Sequence, residues 1–163
     1  MLTCEEFINA SRDFVEMSDK LGDGWKLCEE NNIHRVHIKK DTFIQLVNIN
    51  NCPTLCKAEY IIFYNISYGV PAFSFNIWGS TGSLLSIDEI RNMSFVKMEE
   101  KEFYSVITQQ EHPLFFRPYF LMHPCHTETL LTTLKDKTKN IIVTFLSLIT
   151  PLIKLDVPME YGL

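Results

Sequence analysis

Residues 58–78 constrain the fold more than any other stretch of the chain. Over 58–68, Tyr60, Ile62, Tyr64, Ile66 and Tyr68 alternate with Ile61 and Phe63, so an extended chain is apolar on both faces there. Such a strand needs a layer on each side and a neighbour on each edge, which makes it central to a sheet. Gly69-Val70-Pro71 breaks the run, and residues 72–78 resume it. The two strands are therefore expected to pair antiparallel across a turn.

The flanking residues extend this pattern. Trp25-Lys26-Leu27-Cys28 reads as a short strand, and 33–40 and 43–49 read as two more, with Lys40-Asp41-Thr42 as their hairpin turn. Ahead of them, Phe7, Ala10, Phe14, Met17 and Leu21 recur at three- and four-residue steps and predict an amphipathic helix, stopped at Gly22-Asp23-Gly24. Behind them come a loop at 79–83 and a capping box over Ser86-Ile87-Asp88-Glu89 that starts a short helix. Residues 95–107 give no clear pattern. A helix is expected over 127–139, with Glu128 near its positive end and Lys135, Lys137 and Lys139 near its negative end. A near-continuous apolar helix over 141–149 ends before Pro151. The fold class is α+β: an antiparallel strand meander flanked by an N-terminal helix and C-terminal helices.

At 163 residues, 46% hydrophobic and 21% charged, the chain suits one folded domain over 1–163 with its own core. The net charge is -5 and the longest basic run is Lys39-Lys40, which excludes a nucleic-acid partner needing a clustered basic face. No basic-then-apolar leader opens the sequence, and the apolar region 141–153, interrupted by Thr144, Ser147, Thr150 and Pro151, falls short of the ~20 residues that cross a bilayer. A cytoplasmic protein without a transmembrane segment is expected. Five cysteines, an odd number without secretory context, are expected to be reduced thiols, and the glycosylation patterns at Asn65 and Asn92 are read as chance.

Chemistry concentrates in residues 111–127, which hold three prolines (Pro113, Pro118, Pro124), three histidines (His112, His123, His126) and Cys125. A short strand over 119–122 would deliver Cys125 to a loop just before a helix. Neighbouring histidines and a helix N-terminus favour the thiolate, the reactive form of cysteine. A buried structural cysteine is the competing reading. A hydrolytic Cys–His pair needs a third group to orient the base, and the sequence identifies none. A zinc site could draw on His34, His37, Cys52, Cys56, His123, Cys125 and His126, but the spacings match no finger or ribbon, and His34 and His37 would point to opposite faces of a strand. Neither a metal nor a cofactor is expected. Among the tyrosines, Tyr60 and Tyr64 read as core residues with wet tips, while Tyr68, at the break before Gly69, can turn its hydroxyl toward a loop site.

The motifs Tyr68-Gly69-Val70-Pro71, Gln109-Gln110-Glu111-His112-Pro113 and His123-Pro124-Cys125, with a polar and then an apolar final helix, resemble the autophagy conjugating enzymes related to ubiquitin-conjugating enzymes. The resemblance runs from the first helix to about Tyr161. It implies a ubiquitin-conjugating-enzyme-like fold and a transferase. The activating enzyme autophagy-related protein seven would pass the modifier, autophagy-related protein twelve, to Cys125 as a thioester, for transfer to a lysine of autophagy-related protein five. His123 and Tyr68 would support the cysteine loop, because this sequence has no His-Pro-Asn motif to serve the oxyanion. Two alternatives stand beside it. One is the sister type that conjugates the autophagy-related protein eight family to phosphatidylethanolamine, although this chain has no room for that type's insertions. The other is a non-catalytic binding domain on the same fold.

Overall fold

The computed structural model describes residues 1–162, apart from the side chain of His126. Helix α1 (Cys4–Leu21) starts where Thr3 and Glu6 exchange hydrogen bonds: the Thr3 hydroxyl oxygen accepts from the Glu6 N–H, and the Glu6 carboxylate accepts from the Thr3 N–H, both at 3.1 Å. Two of the helix's orphan donors are thereby satisfied. The helix ends at Gly22, whose φ of +66° suits a residue without Cβ. Its stripe buries Phe7 and Phe14, and Phe14 stacks on Tyr161 with ring centroids 4.8 Å apart.

One antiparallel sheet of six strands, β1 (Lys26–Cys28), β2 (His37–Val47), β3 (Pro53–Asn65), β4 (Val70–Trp78), β5 (Ile107–Glu111) and β6 (Pro118–Met122), forms in the order β1-β2-β3-β4-β6-β5. The meander and the central place of β3 are as the sequence predicts. Alternation along β3 and β4 divides two apolar clusters. Tyr60, Ile62, Phe73 and Phe75 join Phe7, Phe14 and Phe145 of the helices, while Ile61, Phe63 and Ala72 meet Leu114, Tyr119 and Leu121 on the opposite face. On that second face Glu59 is buried, accepts a hydrogen bond from the Tyr119 hydroxyl and lies 3.5 Å from the Lys39 ammonium.

The hairpin at 40–42 does not form. Lys40, Asp41 and Thr42 sit in the middle of β2, opposite Tyr60, Glu59 and Ala58. Their polarity belongs to a strand near the sheet edge: the Lys40 ammonium bonds to Asp23 at 2.9 Å, and Asp41 lies near Lys39. The chain turns instead at Asn48, whose side-chain oxygen accepts from the N–H of Asn50 (2.9 Å) and Cys52 (3.1 Å). Ile33–Arg35 is a 3-10 turn capped by Asn32, not part of a strand, so His34 and His37 do not share one. β3 stops at Asn65, which puts the 60% exposed Ile66 and the half-buried Tyr68 in a turn, where Tyr68 still packs against the cluster that contains Tyr60.

Beyond the meander, α2 (Ile87–Arg91) begins at the expected capping box. The unassigned 95–107 region holds α3 (Glu100–Val106) and the first residue of β5. The helix expected over 127–139 is shorter: α4 (Glu128–Leu134) passes into a 3-10 turn over Lys135–Lys137, which leaves Lys139 outside. Two anchors force this break. The Lys135 ammonium bonds the Met1 carbonyl oxygen (3.0 Å) and Glu6, and the Asn140 amide bonds the Ala10 carbonyl oxygen (2.9 Å) while capping α5 (Ile141–Ile149).

The edge of β2 is guarded at both ends. β1 covers His37 to Lys39. Ser94 bonds both the N–H and the C=O of Val47 at 2.8 Å, and the Lys154 ammonium takes the Gln45 carbonyl oxygen at 2.9 Å. Between them, among the described residues, the outward main chain of Asp41 and Phe43 has no strand partner, and Phe43 is 68% exposed.

Candidate active site

β6 delivers the thiol as expected. The strand ends with the His123 N–H bonded to the Val106 carbonyl oxygen at 2.7 Å. Pro124 then opens a one-turn 3-10 helix, Pro124–His126, that contains Cys125. His123 caps this turn: its Nδ1 accepts the Cys125 N–H at 3.3 Å. Thr127 closes it, with its N–H and its hydroxyl both donating to the Pro124 carbonyl oxygen at 3.0 and 3.2 Å. Pro71, Val106, Met122, Phe145 and Ile149 line an apolar crevice beneath His123 and Pro124. The loop backbone is thus held while Cys125 itself is exposed.

Tyr68 reaches the same place from β3. Asn65 organises the turn, its side-chain oxygen accepting the Tyr68 N–H (3.0 Å) and its carbonyl oxygen the Gly69 N–H (2.8 Å). The Tyr68 ring then meets the His123 ring edge-to-face, with centroids 5.8 Å apart. Among the described residues its hydroxyl has no hydrogen-bond partner. The N-terminal residues strap this turn down: the Leu2 N–H donates to the Gly69 carbonyl oxygen at 2.9 Å, and the Tyr64 hydroxyl donates to the Leu2 carbonyl oxygen at 2.6 Å. Gly69 has φ +64°, and a Cβ there would stand 3.0 Å from Met1 side-chain atoms. Gly69→Ala is therefore expected to lower stability by about 1–2 kcal/mol in urea unfolding.

The geometry restricts the chemistry. His123 Nδ1 is engaged by the Cys125 main chain, so that nitrogen holds the loop instead of taking the thiol proton. Among the described residues, no carboxylate or amide orients the His123 ring; its aromatic neighbour is Tyr68. Among the described residues the arrangement lacks the oriented base of a thiol hydrolase.

The remaining predicted ligands do not gather here. His112, which was not among those ligands, lies on the opposite face of the sheet and is completely buried. Its Nε2 bonds the Ser74 hydroxyl at 2.9 Å, its Nδ1 accepts the Leu114 N–H at 3.0 Å, and Phe63, Phe115 and Tyr119 surround the ring. Burial pushes its pKa down to about 4. His37 is buried against Phe115, and Cys56 is buried, which raises its thiol pKa. Among the described residues no group of three or more His, Cys, Asp or Glu side chains could hold a metal ion. The side chain of His126, a candidate ligand and thiol neighbour on sequence grounds, lies outside the described residues. Asn65 and Leu2 were not singled out from sequence. Asn65, three residues before Tyr68 and four before a glycine, carried a legible turn signal, whereas Leu2 carried none.

Residues 6–160 match the family described as "Autophagocytosis associated protein, active-site domain". The chain belongs to this family. It is similar to the human ubiquitin-like-conjugating enzyme ATG10, 26% identical over an alignment of 192 residues that covers 92% of this chain and 87% of the relative. The Arabidopsis thaliana enzyme of the same name is 29% identical, over 63% of this chain and 51% of that protein. The Dictyostelium discoideum one is 31% identical, over 63% and 52%. The chain is a ubiquitin-like conjugating enzyme of autophagy with the α+β fold expected. No helix among the described residues is long and apolar enough to cross a membrane.

Proposed function

We propose that residues 1–163 act as one cytoplasmic catalytic domain that carries autophagy-related protein twelve on Cys125 and transfers it to a lysine of autophagy-related protein five. The observation that carries this reading is the exposed Cys125 in a hydrogen-bonded turn that, among the described residues, has no oriented base beside it. In the first step Sγ attacks the thioester between the modifier's C-terminal glycine and autophagy-related protein seven. A new C–S bond forms, and the activating enzyme's thiol leaves with the proton. In the second step the lysine amine attacks the same carbonyl, C–N forms, C–S breaks, and the amine proton returns Cys125 to the thiol. Such a thioester has to survive water until an amine arrives, and a strong base beside Cys125 would waste it. Autophagy-related protein five would dock on the open main chain of Asp41 and Phe43 by strand addition.

The test is a reconstituted charging reaction with activating enzyme, ATP and each candidate modifier in turn. A thiol-sensitive adduct with autophagy-related protein twelve, discharged onto autophagy-related protein five, is expected. An adduct passed only from the protein-eight family to phosphatidylethanolamine would replace this reading with the lipid-conjugating one, and no adduct would leave a binding domain.

In this mechanism Tyr68 donates its hydroxyl toward the oxyanion that forms as the amine attacks, and His123 holds the loop that presents it. Tyr68→Phe is expected to charge normally and to slow single-turnover discharge about tenfold or more. A discharge rate equal to wild type would remove Tyr68 from the mechanism.

A further inference from the structure

The sheet has a second open edge, and it begins at the cysteine loop. β5 is the last strand of the sheet, and β6 is its one strand partner. The bonds from His123 N–H to Val106 C=O and from His112 N–H to Arg117 C=O turn the even-numbered residues of β5 inward, toward β6. In an antiparallel ladder the intervening residues then face outward. Gln109 and Glu111 thus present both main-chain groups away from the sheet, and Ile107 presents its C=O, its N–H being used by Phe103. Among the described residues these outward groups of Gln109 and Glu111 have no partner. Thr108, Gln109, Gln110 and Glu111 are all exposed.

We propose that this edge of β5 receives the C-terminal tail of the ubiquitin-like modifier as an added antiparallel strand. The inference rests on the function proposed above. Direction and reach identify the occupant. Ile107 stands opposite Met122, three residues before Cys125, so about 10 Å of chain and one strand spacing of about 5 Å separate the Ile107 end of β5 from Cys125. A tail whose last carbonyl is on Sγ must run toward Ile107 from the Glu111 end, which is antiparallel to β5. Its neighbouring residues then meet the two outward pairs at Gln109 and Glu111. The open edge of β2 does not serve this purpose, because β3 and β4 stand between it and β6, whose end carries Cys125, a separation of roughly 14 Å. The exposed β5 side chains are polar and offer no apolar pocket, so the main chain would read the tail's extended shape more than its sequence.

Gln109→Pro removes one outward N–H and leaves the inner ladder bonds to β6 untouched, a tolerated place for proline on an edge. The variant is expected to need about three- to tenfold more modifier for half-maximal charging, with the rate at saturation little changed. Independently, Cys125→Ser charged as the oxyester should show slower amide hydrogen exchange at Gln109 and Glu111 than the uncharged protein. This second measurement decides alone if the proline variant fails to fold. Unchanged exchange at both amides, or a folded Gln109→Pro that charges at the wild-type modifier concentration, would overturn the tail site while leaving the thioester function intact. If wild type forms no adduct at all, the function fails and the tail site with it.

Discussion

Cys125→Ala is expected to abolish the modifier adduct in the charging reaction, read as complete loss of the thiol-sensitive band. The other four cysteines cannot substitute. Burial raises the thiol pKa of Cys4, Cys28 and Cys56, which lowers their thiolate fraction, and Cys52 sits in the turn between β2 and β3, away from the His123 loop. The substitution should leave folding within about 0.5 kcal/mol of wild type, because Cys125 is exposed and, among the described residues, its hydrogen bond in the turn is through the main chain. Lost charging would therefore report lost chemistry. Cys125→Ser should give an oxyester that resists thiols, and an adduct persisting in Cys125→Ala would place the nucleophile elsewhere.

Acid is expected to weaken the fold through His112. Its pKa is near 4 in the folded protein, against 6.5 for the free side chain, because the buried ring must stay neutral to donate to Ser74 and accept from Leu114. The unfolded chain binds a proton between those two values and the folded chain does not. Stability from this residue is thus complete above pH 6.5, falls as pH drops, and reaches its full loss of roughly 3 kcal/mol near pH 4. Burial also lowers the pKa of His37, which adds to the decline in the same direction. Urea unfolding at several pH values checks this. His112→Gln should be less stable at pH 7 and lose much of the slope between pH 6.5 and 4; an unchanged slope would show that another group carries it.

The parts of the fold that were legible in sequence were those whose periodicity is local. Helix α1 showed a stripe and two stop glycines, and β3 showed two apolar faces, so both could be read without knowing their neighbours. β5 could not. Ile107-Thr108-Gln109-Gln110-Glu111 is a strand because β6 offers it a ladder, not because its residues prefer one, and only Ile107 is buried. Lys40-Asp41-Thr42 misled for the related reason that polar residues near an edge look like a turn. His112 was noticed beside Pro113 and Cys125 in sequence, yet its partner Ser74 lies on β4, and the fold puts the two histidine-proline pairs to different uses. Cys125 and its loop were readable from one short motif. The support from Leu2 and Lys135 was not, since each contributes through residues distant in sequence or through the main chain.

The guarded edge of β2 bears on how this protein behaves in a crowded solution. An uncovered strand is a template for copying, since whatever pairs with it presents a fresh edge to the next molecule. Here Ser94 and Lys154 close one end and β1 the other, so the opening spans little more than Asp41 to Gln45. A full-length strand from a second molecule would collide with these stops before its register was satisfied. A short extended segment of a partner fits between them. The length of the gap thus separates recognition from self-stacking at this edge of the sheet.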